Sequence, residues 1–189
     1  MQPALFVKIL VLSLASICFL SARPPEPPFP ATIEITASDR SLIKIGECRY
    51  VYRMFFKLYD AALYASAGAS NDAILKANTP FKLQFRYLRE IDKSIILKSS
   101  AKILEKNLSS NELEQIAERL DRLNAAYRTV KAGDRSSLTY LPDRGITLMI
   151  NGSPIITIEG KDFAQLYFKI WLGEKPLSNS LKDALLGSD

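Results

Sequence analysis

The feature that most constrains the fold is a dipeptide near the C-terminal end of the chain. Asn151-Gly152 joins two apolar, β-rich runs in the segment ITLMINGSPIITIEG. Asn-Gly is the preferred pair for a two-residue type I′ turn, in which both residues need a positive φ. The segment therefore predicts an antiparallel hairpin. The run SSLTYLP before it, followed by the turn PDRG, adds a third strand and predicts a meander.

Earlier in the chain, alternating polarity predicts further strands. Residues 31–49 form one or two of them, and Met54–Ala65 forms another that is partly buried on both faces. Phe81–Glu90 alternates strictly, which is typical of a strand with one buried face and one wet face. Its apolar face carries Phe81, Leu83, Phe85 and Tyr87.

Two helices are predicted after these strands. Asp92 can cap the first helix. Ser109 or Ser110 can cap the second, whose first turn contains Glu112, where negative charge is favoured. A further helix, KDFAQLYFKIWLG, ends at Gly173, and a short last helix, LSNSLKDALLG, follows it. Because strands and helices do not alternate regularly, the order predicts an α+β fold: one large antiparallel sheet with helices packed on one face.

The N-terminal segment has the pattern of a secretory signal peptide. Lys8 precedes a 12-residue apolar run that small residues follow, and this run is too short to span a bilayer. We predict a signal peptide over 1–22 with cleavage after Ala22, a proline-rich tether over 23–31, and one domain over 32–187. The protein is then periplasmic or secreted. An uncleaved N-terminal anchor is the alternative, and no other contact with a membrane is predicted.

Composition restricts the possible chemistry. The chain contains no histidine, which excludes Ser-His-Asp and Cys-His catalysis and argues against most zinc sites. We therefore predict no metal and no cofactor, and any enzyme here must use Arg, Lys, Tyr or carboxylates. The net charge is +5, but basic residues alternate with acidic ones, as on a solvated helix face. No nucleic-acid partner is predicted.

The segment GECRYVYRMFFKLYDAALY combines strand-forming aromatic residues with charged side chains. Lys57 is interpreted as a charge on the wet face and Asp60 as a strand-end kink. Arg49 is either an arginine that reaches solvent or one that faces an apolar cleft. In the cleft its guanidinium could hold a carboxylate or phenolate with two hydrogen bonds. Tyr59 could add a hydroxyl to the same anion or serve as a cross-strand packing partner.

Several motifs together resemble a known family. Within Val130–Gly187 they are AGD, a Tyr-x-Pro before a glycine turn, NG, and an aromatic-apolar helix that ends in WLG before LLG. GECR and KLYDAALYA agree in the N-terminal half. Over residues 31–187 the chain resembles the chalcone isomerase-like domain, and more specifically its bacterial exported branch. The resemblance implies an open-faced β-sandwich with a ligand cleft between the sheet and its helix layer.

The resemblance also implies a site. In true chalcone isomerases an arginine holds the substrate phenolate, which closes a ring by intramolecular addition, and four polar residues position the ketone and a water. The arginine position matches Arg49, and a threonine position falls at Tyr59. The tyrosine and asparagine positions fall at Leu113 and Leu120, and the last hydroxyl falls at Ile170. Three positions are thus apolar. This argues against cyclisation of chalcones, because one lost donor can cost roughly 10²–10³ in rate.

The favoured interpretation is an exported, non-catalytic protein whose cleft binds a small apolar anion. A fatty acid or an aromatic acid is the concrete expectation, because fatty-acid binding occurs in plant relatives of this family. The predicted ligand-binding residues are Arg49, Tyr59, Leu113, Leu120 and Ile170. One alternative is an isomerase or intramolecular lyase that acts on an enone or phenolic substrate through Arg49 and Tyr59. The other is an interaction module for an envelope protein partner, which predicts a filled cleft and an exposed apolar patch.

Overall fold

The computed structural model describes residues 29–35 and 40–187. The predicted signal peptide and the first part of the predicted tether lie outside the described residues. The strands are β1 (Thr32–Ile35), β2 (Arg40–Tyr52), β3 (Phe56–Ala65), β4 (Phe81–Tyr87), β5 (Arg135–Leu141), β6 (Gly145–Ile150) and β7 (Ser153–Ile158). The helices are α1 (Asn71–Leu75), α2 (Lys93–Asn107), α3 (Ser110–Ala126), α4 (Lys161–Tyr167), α5 (Lys169–Leu172) and α6 (Asn179–Leu185). Within the described ranges, no helix combines the length and the apolarity that crossing a bilayer requires.

The strands form one antiparallel sheet in which the spatial order, β1 to β7, is the order of the sequence. The predicted hairpin joins β6 to β7, and its turn residues Asn151 and Gly152 have φ values of 50° and 81°. Both values lie in the left-handed region that a type I′ turn requires. The sheet therefore confirms the predicted antiparallel meander.

The helices cover the inner face of this sheet. Along β4 the buried side chains alternate with half-buried ones, so that Phe81, Leu83, Phe85 and Tyr87 all point to the inner face. Helix α6 packs on β2, α3 on β7 and α4 on β6, while α2 packs against α5. The main apolar core lies between the two layers. The predicted α+β fold, one large antiparallel sheet with helices packed on one face, is thus confirmed.

Local capping signals place the helix starts. The side chain of Asp92 accepts a hydrogen bond from the Ser94 amide at 2.7 Å, so Asp92 caps α2 as predicted. Ser109, rather than Ser110, caps α3 and forms a reciprocal capping box with Glu112. The single helix predicted to end at Gly173 is instead two short helices, α4 and α5, with Phe168 between them.

A second, smaller core lies on the outer face of the sheet and includes the N-terminal end of the described chain. Phe29 is buried there against Leu42 and Tyr64. The Tyr64 hydroxyl donates to the carbonyl oxygen of Pro30 at 3.0 Å, and Lys44 Nζ donates to that of Phe29 at 3.0 Å. Phe29 and Pro30, which the sequence analysis assigned to the tether, therefore pack on the sheet.

Gly46 explains how closely α6 approaches β2. A Cβ atom at this position would meet the backbone carbonyl oxygen of Ala184 and would lie 2.8 Å from that of Leu185. Only a residue without a side chain fits beneath the helix at this crossing. The glycine of the GECR motif thus sets the distance between the C-terminal helix and the sheet.

Candidate ligand-binding cavity

A cavity of about 440 Å³ lies between the inner face of the sheet and the helix layer. Its volume falls within the range of roughly 300–1,000 Å³ that is typical of small-molecule sites. A cavity of this size also contradicts the filled cleft that the interaction-module alternative predicts. The lining residues are Tyr50, Tyr52, Leu58, Tyr59, Phe85, Tyr87, Ile91, Ile95, Ile96, Lys98, Ser99, Ser100, Lys102, Tyr127, Ser136, Ile170, Trp171 and Leu177.

Aromatic side chains form the sheet wall of the cavity. Tyr50 pairs with Tyr59, and Tyr59 with Tyr87, across adjacent strands, so the three side chains share the inner face. The Tyr59 ring centroid lies 5.2 Å from that of Tyr50 and 5.3 Å, edge to face, from that of Phe85. Trp171 from α5 continues the wall at 5.5 Å from Phe85. Packed aromatic rings of this kind give a wall that favours an apolar ligand.

The hydroxyl of Tyr59 is buried and has no hydrogen-bond partner among the described residues. The Trp171 side chain acts to lower the pKa of this phenol, but it does not meet the geometry of a hydrogen bond to it. An indole N–H is only a donor, so it leaves the phenol proton without an acceptor. An unpaired buried hydroxyl destabilises the protein, and buried polar groups without partners often mark functional sites.

The other two buried phenols in the wall are paired. Tyr87 and Ser136 share a hydrogen bond of 2.9 Å between their hydroxyl oxygens, and Tyr127 and Tyr167 share one of 3.0 Å. Both hydroxyls thus have a partner within the protein. Tyr59 therefore differs from its neighbours in having a donor left for another group.

These phenols are uncharged at neutral pH. Burial raises the pKa of Tyr59, Tyr87 and Tyr127 from their ordinary value, and the neighbouring phenols raise that of Tyr59 further. Because an ordinary tyrosine already titrates near pH 10, all three remain protonated. The wall therefore offers hydrogen-bond donors but no general base.

The mouth of the cavity carries positive charge. Lys98 and Lys102 lie one turn apart on α2, where residues four positions apart share a face, and both are exposed. Neither ammonium forms a salt bridge with a described carboxylate. Tyr52 and Ile95 at the same mouth are also exposed. An apolar interior with cations at its rim is suited to a ligand with an apolar body and an anionic end.

Arg49 lies on the opposite face of the sheet from the cavity. Its Nε donates to Oδ1 of Asp60 at 2.6 Å and its Nη2 donates to Oδ2 at 3.2 Å. The side chain is 47% exposed and does not belong to the cavity wall. The prediction that Arg49 faces an apolar cleft is therefore wrong. The strand alternation that points Tyr50 inward points Arg49 outward.

Asp60 is the centre of this outer ion cluster. It lies in the middle of β3, is buried, and also accepts a hydrogen bond from Nη2 of Arg86 at 2.6 Å. Burial raises the pKa of Asp60, but the hydrogen bonds and charges of Arg49 and Arg86 outweigh burial and lower it. The interpretation of Asp60 as a strand-end kink is wrong, because it lies within β3 and pairs with two arginines. Lys57 is exposed, as expected for a charge on a wet face.

Of the other four predicted ligand-binding residues, two line the cavity and two do not. Tyr59 and Ile170 line the cavity. Leu113 and Leu120 are half-buried against the main core on α3, which packs over β7, and they are not part of the wall. The five positions implied by the resemblance are therefore not brought together in one site.

Several cavity residues were not predicted from the sequence, although the sequence pattern indicates the position of some of them. The alternation of β4 placed Phe85 and Tyr87 on its apolar face, and one of these two side chains is polar at its tip. On α2, Lys98 and Lys102 share a helix face, but nothing in the sequence shows that a cavity opens beside them. Among the described residues, no three His, Cys, Asp or Glu side chains converge to hold a metal ion.

Comparisons with known proteins agree with this architecture. The sequence profile of the family described as chalcone isomerase-like matches residues 28–187. No curated protein matches the sequence significantly. Among solved structures, a fatty-acid binding protein of Arabidopsis thaliana is similar, with a TM-score of 0.59 and 12% sequence identity. The match covers 82% of this chain and 96% of the plant chain. At this identity the likeness shows a shared fold.

Proposed function

The chain belongs to the chalcone isomerase-like family, and from this premise we propose that it binds a small apolar anion, in the first place a fatty acid, without transforming it. The observation that carries the proposal is the cavity of about 440 Å³, which has an aromatic wall and two exposed lysines at its mouth. The fold that it shares with a plant fatty-acid binding protein supports the same ligand class.

The acyl chain occupies the interior in this proposal. Each buried methylene contributes about 0.8 kcal/mol, which corresponds to an affinity gain of about fourfold per carbon. We therefore expect affinity to rise with chain length and to level off when the cavity is full. The Tyr59 ring contacts the chain, and its hydroxyl takes no part in holding the carboxylate.

The carboxylate stays at the mouth. Burying an unpaired carboxylate in an apolar interior is costly, whereas the rim offers the ammonium groups of Lys98 and Lys102. Both are exposed, so each contributes at most about 1 kcal/mol to the pairing. The lysines thus set the orientation of the ligand, while the apolar interior supplies most of the affinity.

The same observations support binding rather than chalcone isomerase chemistry. Within the described residues that line the cavity there is no guanidinium and no carboxylate. Arg49, the residue that the resemblance assigns to the substrate phenolate, is paired with Asp60 on the other face. The buried phenols of Tyr59, Tyr87 and Tyr127 are held in their protonated form and cannot take a proton from a substrate.

The intrinsic fluorescence of Trp171, the single tryptophan of the chain, provides a direct binding assay because this side chain lies in the cavity wall. Delipidated protein is titrated with saturated fatty acids of increasing length. The Ser100→Phe substitution places a phenyl ring at the cavity wall and obstructs the cavity, and Ala101→Phe at the adjacent exposed position outside the wall is the matched control. Saturable binding by the wild type and the control, but not by Ser100→Phe, is expected. Equal binding by the two variants would refute the site.

A second titration tests the mouth. Replacement of Lys98 and Lys102 together by Gln should weaken fatty-acid binding by roughly three- to thirtyfold, the range for two exposed ion pairs of about 0.3–1 kcal/mol each. Binding of the alcohol of equal chain length should not change. Lys106→Gln, one turn further along α2 and outside the wall, is the control. An equal loss of affinity for the acid and the alcohol would show that the carboxylate does not lie beside these lysines.

We also propose that the protein is exported, because Lys8 and the apolar run after it have the pattern of a signal peptide. N-terminal sequencing of protein recovered from the source cells should then begin at Arg23. A start at Met1 would support the uncleaved anchor instead.

A further inference from the structure

The hairpin between β2 and β3 exposes an unusual apolar surface. Met54 and Phe55 in its turn are 85% and 81% exposed. Tyr52 and Phe56, which pair with each other at the ends of the two strands, are also exposed. We call these four residues the apolar tip. Single exposed apolar residues are common, but contiguous apolar patches mark a contact surface.

The turn holds this surface in an unfavourable backbone conformation. Arg53 and Met54 have φ values of 47° and 64°, in the left-handed region where glycine or asparagine is usual. The turn thus carries bulky side chains at positions that favour small ones. The sequence of this turn is therefore better suited to contact with another surface than to a compact connection between β2 and β3.

Basic side chains surround the apolar tip. The Arg53 guanidinium lies 5.4 Å from the centroid of the Tyr52 ring, and that of Arg89 lies 5.3 Å from the centroid of the Phe56 ring. Lys57 follows in β3, and Lys98 and Lys102 stand at the cavity mouth, which Tyr52 also lines. Four acidic residues lie within three positions of these five basic ones in the sequence, Asp60, Glu90, Asp92 and Glu105. Because Asp60 pairs with Arg49 and Arg86, positive charge prevails.

We propose that the apolar tip inserts into the surface of a bilayer that contains anionic lipid. Exposed apolar side chains ringed by Lys and Arg enter the boundary between head groups and acyl chains, while the cations pair with anionic head groups. Tyr52 belongs to both the tip and the cavity wall, so docking places the cavity mouth at the membrane surface. This goes beyond the proposed ligand function, since docking requires no bound fatty acid.

Co-sedimentation of the delipidated protein with vesicles tests the proposal. One set consists of phosphatidylcholine and the other of phosphatidylcholine mixed with phosphatidylglycerol. The wild type should bind the anionic vesicles more strongly. Replacing Arg53 and Arg89 by Gln should weaken binding to anionic vesicles by about 30-fold, since each basic residue near an anionic surface contributes about fivefold. Binding to neutral vesicles should not change.

The apolar part of the contact has its own control. Replacing Met54 and Phe55 by Ser should weaken partitioning by tenfold or more on both vesicle types. Replacing Ile43 and Leu75 by Ser removes apolar residues that are 39% and 40% exposed elsewhere, and binding should stay unchanged. A wild type that stays in the supernatant with both vesicle types would overturn the proposal and leave the tip to a protein partner. Equal losses in the two double variants would also overturn it.

Discussion

Removing the hydroxyl of Tyr59 should stabilise the ligand-free protein. This hydroxyl is buried without a partner among the described residues, and an unsatisfied buried polar group costs about 1–3 kcal/mol. Tyr59→Phe deletes the cost and keeps the ring contacts with Tyr50 and Phe85. We expect a gain of about 1 kcal/mol in the free energy of unfolding.

Thermal and denaturant unfolding of delipidated protein measure this effect. For a domain of about 150–250 residues, 1 kcal/mol corresponds to a rise of about 2–4 °C in Tm. Tyr127→Phe is the matched control, because its hydroxyl shares a hydrogen bond of 3.0 Å with that of Tyr167. It should lower stability by about 1 kcal/mol, since it removes that bond and leaves Tyr167 unpaired.

The two substitutions should therefore have opposite signs. A Tyr59→Phe variant that is less stable than the wild type would refute the reasoning, because the hydroxyl would then have a partner in the ligand-free protein. Fatty-acid affinity should stay within about threefold of the wild type, a difference of less than about 0.7 kcal/mol. A larger loss would place the carboxylate beside Tyr59 rather than at the mouth.

Three further substitutions test the sheet around the site. Asp60→Asn should cost about 1–3 kcal/mol at neutral pH, because two arginines lose their partner. The pKa of Asp60 is lower in the folded protein than in the unfolded chain. The stabilisation that the charged carboxylate provides is therefore complete above about pH 4 and is lost as the pH falls through the folded-state pKa. The unfolding curves of the wild type and the variant should converge at that acid pH. Arg49→Ala should leave fatty-acid affinity unchanged and lower the free energy of unfolding by less than about 1 kcal/mol. A large loss of affinity would show that Arg49 belongs to the binding site. Gly46→Ala should destabilise by about 1–3 kcal/mol, because its Cβ would collide with the Ala184 carbonyl, and an unchanged Tm would show that α6 is free to shift.

The elements that sequence predicted well carry strong local signals. Asn151-Gly152 needs a positive φ at both positions, so it identifies the β6–β7 hairpin and the pairing beside the turn, although an irregularity at Leu148/Met149 shifts the register further along. The alternation along Phe81–Tyr87 follows from a sheet with one buried face. Ser109 and Glu112 cap α3 by a contact between residues three positions apart. In each case the deciding interaction lies within a few residues.

The position of Arg49 could not be predicted in this way. It depends on the register between β2 and β3, and the turn Arg53–Phe55 contains no glycine, proline, asparagine or aspartate to reveal where the chain reverses. Irregularities at Lys44/Gly46 and Tyr50/Val51 shift the pairing further. Without the register, the opposite charges of Arg49 and Asp60 do not appear as a cross-strand pair.

The lining of the cavity could not be predicted from the sequence either. Ile170 and Leu120 both belong to apolar helix faces, yet Ile170 lines a void and Leu120 packs against the core. Periodicity shows which face of a helix is buried but says nothing of the distance to the facing wall. That distance is set by contacts far apart in the sequence, such as the crossing of α6 over Gly46.

A crystal structure with a fatty acid brominated at its terminal carbon would test the central claim most directly. Anomalous scattering should place the bromine against the aromatic wall formed by Tyr50, Phe85 and Trp171. The carboxylate should lie within salt-bridge distance of Lys98 or Lys102. Bromine outside the cavity, or a carboxylate in the interior beside Tyr59, would contradict the account.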